Sequence, residues 1–348
     1  MSLKFTEIIK PGYERILVAE EGMSGFYSIT AIHNTKRGPA LGGCRYFNYS
    51  SNQEQETDVL NLSKAMTYKN SLANLDFGGG KATVNANVSK SDMYELFAEV
   101  LNKLDGTYIT AGDIGMVDED LVNLKKYSKF VCSTLGTDSG QSTAYGVFNA
   151  MLGYNGYANN SSSLENKKII IKGYGKVGSR LANFCKAQGA LIEIVDFEQK
   201  KNLIEEDGYV FIADYKDTHF NEIDIFSPCA TGGDLNNEFI SFIKQKKVHC
   251  ILGAANNQLF DPSIEKKLHA MNVVYCPDYC VNAGGVIILA LRSNIKQDME
   301  YFEEAAKEKL VGIKKILKDI LYLSEKKKQL WTISSNYLAQ KGLADENL

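Results

Sequence analysis

The sequence predicts an α/β fold in two domains, and three observations carry that prediction. The chain has 348 residues, enough for two domains of ordinary size. Short β-branched runs alternate with longer helical patterns, which implies sheets covered by helices. The alternation also changes character midway, from uneven strand pieces in the first third to a regular strand–helix repeat after the polar run 159–163. The expected division is 1–136 plus 325–348 for an N-terminal α/β domain with an open sheet, and 137–324 for the second domain, with a cleft between them.

Composition narrows the class. An apolar fraction of 44% and a charged fraction of 23% are those of a soluble globular protein. A net charge of −3 gives no footing for nucleic acid or an anionic membrane as partner. No apolar run approaches the roughly 18 residues of a spanning helix, and the opening Met1-Ser2-Leu3-Lys4 lacks the apolar core of a signal peptide, so a cytoplasmic protein is expected. The seven cysteines are odd in number and form no CxxC pair, which suggests buried reduced thiols. Cys276 and Cys280 are near enough to share a metal, but the four histidines show no ligand spacing, and no metal is expected.

In the first domain, Arg15 to Ala19 and Phe26 to Ile32 read as strands, leading into the glycine-rich run Gly38 to Arg45. A helical pattern begins near Gln53, with Val59, Leu60, Leu62, Ala65 and Met66 at helical spacing and Lys69 on its tail. Gly78-Gly79-Gly80 then precede Lys81 and the strand-like Ala82 to Ala86. Glycines at a loop-to-strand junction let a ligand approach the backbone, and a lysine placed there can point into a cleft. Two ammonium groups held close and partly desolvated make one of them a base near neutral pH, while the other can pair with a carboxylate. The same stretch also reads as two solvated lysines around a flexible turn. A helix near 91–104, a strand Tyr108 to Ala111, a short helix near 117–127 and a strand Phe130 to Thr134 complete the domain, and Gly136 to Gly140 reads as a linker.

The second domain opens with a helix from about Thr143 to Tyr157. The strand Lys168 to Lys172 runs into Gly173-Tyr174-Gly175-Lys176-Val177-Gly178 and a helix through Lys186. The next strand, Leu191 to Val195, ends on Asp196, about 18 residues beyond Gly178. A GxGxxG between strand and helix with an acid at that distance is the fingerprint of a Rossmann dinucleotide-binding domain. Gly173 allows the turn, Gly175 the approach of a pyrophosphate, and Gly178 the packing of helix on strand, with the phosphates at the helix N-terminus. Asp196 would bind the adenosine ribose and repel a 2′-phosphate, favouring NAD over NADP, although Lys200 and Lys201 nearby leave room for relaxed preference. Further strands at Ile223 to Phe226, His249 to Gly253 and Val273 to Tyr275 each end in a small-residue loop: 229–233 with Cys229 and Ala230, 254–257 with Ala254 and Asn256, and 282–285. Such loops at strand carboxyl ends are placed to hold cofactor and substrate. An apolar helix follows Gly285, a long one runs from Met299 to Leu323, and the tail is expected to return as a helix across the first domain.

With these motifs in one order, the chain resembles the glutamate/leucine/phenylalanine/valine dehydrogenases, and its length is closer to the leucine, valine and phenylalanine branch. The resemblance runs from about Tyr13 to the C-terminus, on Gly38 to Arg45, Met66 to Lys81, Ala111 to Gly115, Thr143 to Val147, Gly173 to Gly178, Gly253 to Leu259 and Pro277 to Gly285. It implies NAD-dependent, reversible deamination of an L-amino acid to its 2-oxo acid and ammonium by a homo-oligomer. Carried over by motif, Lys69 would bind the substrate carboxylate with the backbone at Gly42. Lys81 would be the low-pKa lysine that activates water against the imine, and Asp113 would shuttle protons to and from the substrate nitrogen, with Asn256 helping to orient it. Thr143 would meet the nicotinamide carboxamide.

Glutamate enzymes place a lysine where this chain has Leu41 and a small hydroxyl residue where it has Leu289. With Ala111 and Val286 the matched wall is apolar, which argues against glutamate. Leu289, bulkier than the valine expected in a leucine enzyme, shortens the pocket and points to an aliphatic, branched-chain substrate over a large aromatic one. The chain departs from the family at Gly112, where glutamate is usual, at Cys44 and Met116, where threonine is expected, and at Gly140-Gln141-Ser142, which replaces a proline-containing turn. Gly112 is expected to loosen the backbone beside Asp113. An aromatic or specialised substrate, or a catalytically silent NAD-binding homologue, stays open at this point.

Overall fold

The computed structural model describes residues 2–133, 137–294 and 299–344. These form two compact units. The first comprises 1–137, 286–305 and 339–348, and the second 138–285 and 306–338. The expected return to the first domain at 325 is therefore displaced. The stretch from Val286 to Ala305 groups with the first unit, and the chain rejoins it at Ala339.

The first unit contains β1 (Lys4–Ile8), β2 (Arg15–Glu21), β3 (Phe26–Asn34), β4 (Ala40–Phe47), α1 (Asn52–Leu72), β5 (Gly78–Asn85), α2 (Lys90–Leu104), β6 (Tyr108–Gly112) and α3 (Asp118–Leu124). Its sheet runs β1-β2-β3-β5-β4-β6. The pairs from β1 through β3 to β5 are antiparallel, and β4 lies parallel to β5 and β6. Alternation along β2 explains why both faces are covered. Leu17 and Ala19 pack with Met93, Phe97, Val100 and Leu101 of α2, whereas Ile16 and Val18 pack with Val59 and Leu60 of α1. Ser51 caps α1 by accepting from the Glu54 amide at 3.2 Å.

In the second unit α4 (Ser139–Ala158) precedes β7 (Lys168–Lys172), α5 (Gly178–Ala187), β8 (Leu191–Val195), α6 (Lys201–Glu206), β9 (Val210–Ile212), β10 (Glu222–Pro228), α7 (Asn237–Gln245), β11 (Lys247–Ile251), α8 (Ser263–Ala270), β12 (Val274–Tyr275) and α9 (Asp278–Val281). All pairs are parallel in the order β12-β11-β10-β7-β8-β9. This is the doubly wound Rossmann order, whose direction reverses between β7 and β10. The helices α10 (Gly284–Asn294), α11 (Met299–Lys327) and α12 (Trp331–Ala344) complete the chain. The end of α12 lies on α1, where Ser71 Oγ donates to the Ala339 carbonyl at 2.7 Å and Gln340 Nε2 to the Tyr68 hydroxyl at 3.0 Å. Among the described residues no helix is long and apolar enough to cross a membrane.

Several local expectations need correction. Gly78-Gly79-Gly80 is not a turn before a strand but the first part of β5, and Gly38 to Arg45 supplies most of β4. Of the strand expected at Phe130 to Thr134, only a bridge from Val131 to Thr110 forms, and Thr134 lies outside the described residues. Gly136 also lies outside them, while Ser139 and Gly140 open α4 instead of extending a linker, because Asp138 caps the helix by accepting from the Gln141 amide at 2.9 Å.

Candidate active site

The first unit brings Lys81 and Asp113 together through close backbone approach. Near the end of α1, Asn70 Nδ2 donates to the Gly78 carbonyl at 2.6 Å and to the Leu41 carbonyl at 3.3 Å, tying the helix to β4 and β5. The glycines make this contact possible. A Cβ at Gly79 would lie 2.0 Å from the Thr67 amide nitrogen, and one at Gly42 would lie 1.8 Å from the Gly80 carbonyl oxygen. The β4–β5 ladder lapses at Gly42 and Gly43 between the pairs Leu41–Gly79 and Cys44–Ala82. Lys69 sits beside Asn70 in the last turn of α1, half-buried.

Lys81 points from β5 with a side chain only 7% exposed, and its Nζ lies 3.0 Å from Asp113 Oδ2. The same oxygen accepts from Arg45 Nε at 2.9 Å. Burial pushes the Asp113 carboxyl up, but the charges of Lys81 and Arg45 more than offset this and hold it below the usual carboxylate range. Gly112 ends β6 in register with Cys44, and the turn after it is closed by the Met116 amide donating to the Asp113 carbonyl at 2.9 Å and the Tyr46 amide to the Ile114 carbonyl at 2.9 Å.

Leu41 and Ala111 are fully buried in β4 and β6, and Val286 is buried at the start of α10. Cys132 Sγ donates to the Leu289 carbonyl at 3.3 Å, which fixes that turn of α10 beside the segment bridged to β6. All the residues expected to bind substrate except Asn256 thus belong to the first unit. Sequence reading assigned nothing to Arg45, Asp58 or Tyr49. Arg45 lies two residues from Gly43 on β4 and so shares its face, and a Cβ at Gly43 would come within 2.9 Å of Asp113 Cβ, a proximity that only the structure reveals.

The second unit gathers the residues expected at a dinucleotide around the carboxyl ends of β7 and β10, where the strand order reverses. Gly173 has φ +109°, and a Cβ there would press on Ala230; a Cβ at Gly178 would lie 1.8 Å from the Gly173 carbonyl oxygen. At Gly175 nothing lies within 4 Å of such a Cβ, so the turn carrying Lys176 and Val177 is clear on the side a pyrophosphate would take. Asp196 accepts from the Tyr174 amide at 2.6 Å and the Phe197 amide at 2.7 Å, with Lys200 Nζ 3.1 Å away. Burial raises its pKa, but these backbone bonds and Lys200 outweigh it and leave the carboxylate below its usual range.

The expected loops meet there. The Cys229 amide donates to the Lys172 carbonyl at 2.7 Å. Asn282 Nδ2 donates to the Ala254 carbonyl at 3.1 Å and to Asn256 Oδ1 at 2.9 Å, whereas Asn282 Oδ1 is buried with no hydrogen-bond partner. Thr143 Oγ1 donates to the Ser139 carbonyl at 2.9 Å and lies 3.5 Å from where a Cβ at Gly285 would be. A cleared glycine turn, a pinned acid and an unpartnered amide oxygen fit a nicotinamide dinucleotide.

Comparison with known proteins decides the family. Residues 15–129 match the family model described as Glu/Leu/Phe/Val dehydrogenase, dimerisation domain, and residues 190–348 the one described as Glutamate/Leucine/Phenylalanine/Valine dehydrogenase. The leucine dehydrogenase of Bacillus subtilis is 34% identical, with 99% of this chain and 93% of that protein covered. The chain belongs to the glutamate/leucine/phenylalanine/valine dehydrogenase family. The phenylalanine dehydrogenase of Caldalkalibacillus thermarum is 36% identical over 79% of this chain and 77% of its own. Among solved structures, the L-tryptophan dehydrogenase from Nostoc punctiforme matches with a TM-score of 0.83 and 27% identity, covering 96% of both chains. The family accounts for the doubly wound second unit and implies a nicotinamide cofactor.

Proposed function

We propose that the chain catalyses the reversible, NAD-dependent oxidative deamination of an aliphatic, branched-chain L-amino acid to its 2-oxo acid and ammonium. The observation that carries this reading is the buried Lys81–Asp113 ion pair on the glycine-cleared sheet of the first unit. An amino acid dehydrogenase acting on a CH–NH2 group is what family membership makes of the chain, and the proposal concerns its substrate, cofactor and residues.

Lys69, with the backbone at Gly42, holds the substrate carboxylate. NAD, when bound, supplies the acceptor for the Cα hydride. Asp113 takes a proton from the substrate ammonium before the hydride leaves Cα. Lys81 takes a proton from the water that attacks the imine carbon, and Asp113 returns its proton to the nitrogen of the resulting carbinolamine. As the C–N bond breaks and ammonia leaves, the hydroxyl proton passes to Asp113 to give the 2-oxo acid. In amination the same groups act in reverse order. Asn256 orients the substrate amine, and Thr143 meets the carboxamide of the nicotinamide. Gly173, Gly175, Lys176, Val177 and Gly178 cradle the pyrophosphate, Asp196 binds the ribose hydroxyls, and Cys229, Ala230 and Ala254 line the nucleotide. The position of Asp196 at the end of β8 supports NAD over NADP.

Leu41, Ala111, Val286 and Leu289 form the side-chain pocket. An isolated γ-carboxylate among the buried Leu41, Ala111 and Val286 would lack a partner, at a cost of several kcal/mol, which argues against glutamate. Similarity to the phenylalanine and tryptophan enzymes supports a second reading, an aromatic side chain in the same pocket. The family model named for dimerisation over residues 15–129 supports a homo-oligomer. The test is NADH oxidation with ammonium and a panel of 2-oxo acids. Fastest turnover on 3-methyl-2-oxobutanoate or 4-methyl-2-oxopentanoate is expected, and preference for phenylpyruvate or indolepyruvate would establish the second reading. Turnover on 2-oxoglutarate would refute both.

A further inference from the structure

We propose that Arg45 is a positioning residue, which holds the Asp113 carboxylate against Lys81 and is itself held by Asp58 and Tyr49. The inference rests on the reading of Asp113 as the proton shuttle. The guanidinium bridges two carboxylates from different elements: Nε donates to Asp113 Oδ2 at 2.9 Å, and Nη1 to Asp58 Oδ2 at 2.8 Å and Oδ1 at 3.1 Å. The Tyr49 hydroxyl donates to Asp58 Oδ2 at 2.6 Å. One planar fork thereby joins α1, β4 and the residue after β6, a task that the point charge of lysine cannot repeat.

Two further observations show why such a hold is needed. The residue before Asp113 has no side chain to brace it, for a Cβ at Gly112 would meet nothing closer than Leu121 Cδ1 at 3.4 Å. On the other side, a cavity of about 460 Å³ opens along Arg45, Tyr49 and Asp58, with Phe47, Gln53 and Thr57 in its wall. Hydrogen bonds, rather than close packing on that side, therefore fix the fork. The groups facing Asp113 are Lys81 from β5, Arg45 and Cys44 from β4 and Tyr108 from β6, with Asp58 and Tyr49 behind Arg45. Burial keeps the Cys44 thiol and the Tyr108 phenol neutral, so Lys81 and Arg45 are the charges that bear directly on the carboxylate.

The experiment measures kcat and KM against pH in the amination direction for the full chain and for Arg45→Gln, Arg45→Lys, Asp58→Asn and Asp113→Asn, with NADH binding followed by fluorescence. Arg45→Gln should lower kcat by about 10²-fold, the effect of an ångström-scale misplacement, with NADH binding unchanged. Its acid limb should move to higher pH by about one unit or more, because one of two neighbouring cations is gone. Arg45→Lys should restore the acid limb but not kcat. Asp58→Asn should lower kcat about tenfold, since the fork then loses its second anchor while both cations remain. A wild-type acid limb in Arg45→Gln, with Asp113→Asn silent, would overturn the proposal while sparing the role of Asp113. Normal turnover by Asp113→Asn would instead overturn the reading on which the proposal rests. If Arg45→Gln does not fold, a folded Asp58→Asn with unchanged kcat overturns the proposal alone.

Discussion

Replacing Gly79 by alanine tests whether the glycine run exists to let helix α1 touch strand β5. A Cβ there would lie 2.0 Å from the Thr67 nitrogen, 2.2 Å from its Oγ1 and 2.3 Å from its Cα. Ordinary contact begins near 3.4 Å, and the obstruction is helix backbone, so α1 must retreat by more than an ångström. Lys69 follows Thr67 by two residues on that helix and moves with it, whereas Lys81 stays on the strand. A misplacement of about 1 Å costs roughly 10² in rate, and overpacking of this kind costs about 1–3 kcal/mol in stability. The assay is kcat/KM for the preferred 2-oxo acid at saturating ammonium and NADH, with the thermal midpoint and the NADH dissociation constant as companions. We expect kcat/KM to fall about a hundredfold and the midpoint by a few degrees. NADH affinity should stay within about twofold, because the nucleotide loops belong to the second unit. Gly175→Ala is the counterpart: nothing stands within 4 Å of the new methyl, so the chain should fold normally and lose NADH affinity. Wild-type kcat/KM in a folded Gly79→Ala would refute the close-approach argument and return the run to a flexible turn.

Two further predictions concern the departures from the family pattern and the cofactor. Gly112→Ala should keep kcat within about threefold, since the added methyl meets Leu121 and Met116 only at 3.4 Å and 3.6 Å, ordinary contact distances; a loss beyond tenfold would show that the bare backbone there is required. Lys200→Ala should lower the use of NADPH relative to NADH by about fivefold, the roughly 1 kcal/mol of a partly exposed charge pair, because Asp196 then faces a 2′-phosphate without its cation. An unchanged ratio would remove Lys200 from cofactor discrimination.

Sequence legibility followed from how local each feature is. The GxGxxG turn, its flanking strand and helix and Asp196 are short-range, and the structure places them as expected. Lys81 and Asp113 were legible as residue types, but their pairing depends on two strands that meet only through β4. That strand was the hardest to read. Gly42 and Gly43 give Ala40 to Phe47 the look of a loop, although each glycine is there because another backbone or Asp113 occupies the space of a side chain. The same density of glycine disguised Gly78 to Gly80. Neither β1 nor β9 was anticipated: Lys4–Ile8 alternates weakly and is held by its ladder to β2, and Val210–Ile212 is three residues long. Arg45 escaped because its partners stand 13 and 68 residues away, and no periodicity links positions so far apart. The turn after Gly112 was unreadable for a related reason, since the hydrogen bonds that close it come from the Tyr46 and Met116 amides, which no local pattern marks.

The most direct measurement is single-turnover and steady-state NADH oxidation by Lys81→Ala and Asp113→Asn, with ammonium and the wild type's preferred 2-oxo acid, alongside NADH binding. The account predicts turnover reduced by at least about 10³-fold in both variants, the scale of losing a general acid or base at a reacting centre, with NADH affinity near that of the wild type. Near-normal oxidation by either variant, with the nucleotide still bound, would contradict the assignment of the chemistry to this pair.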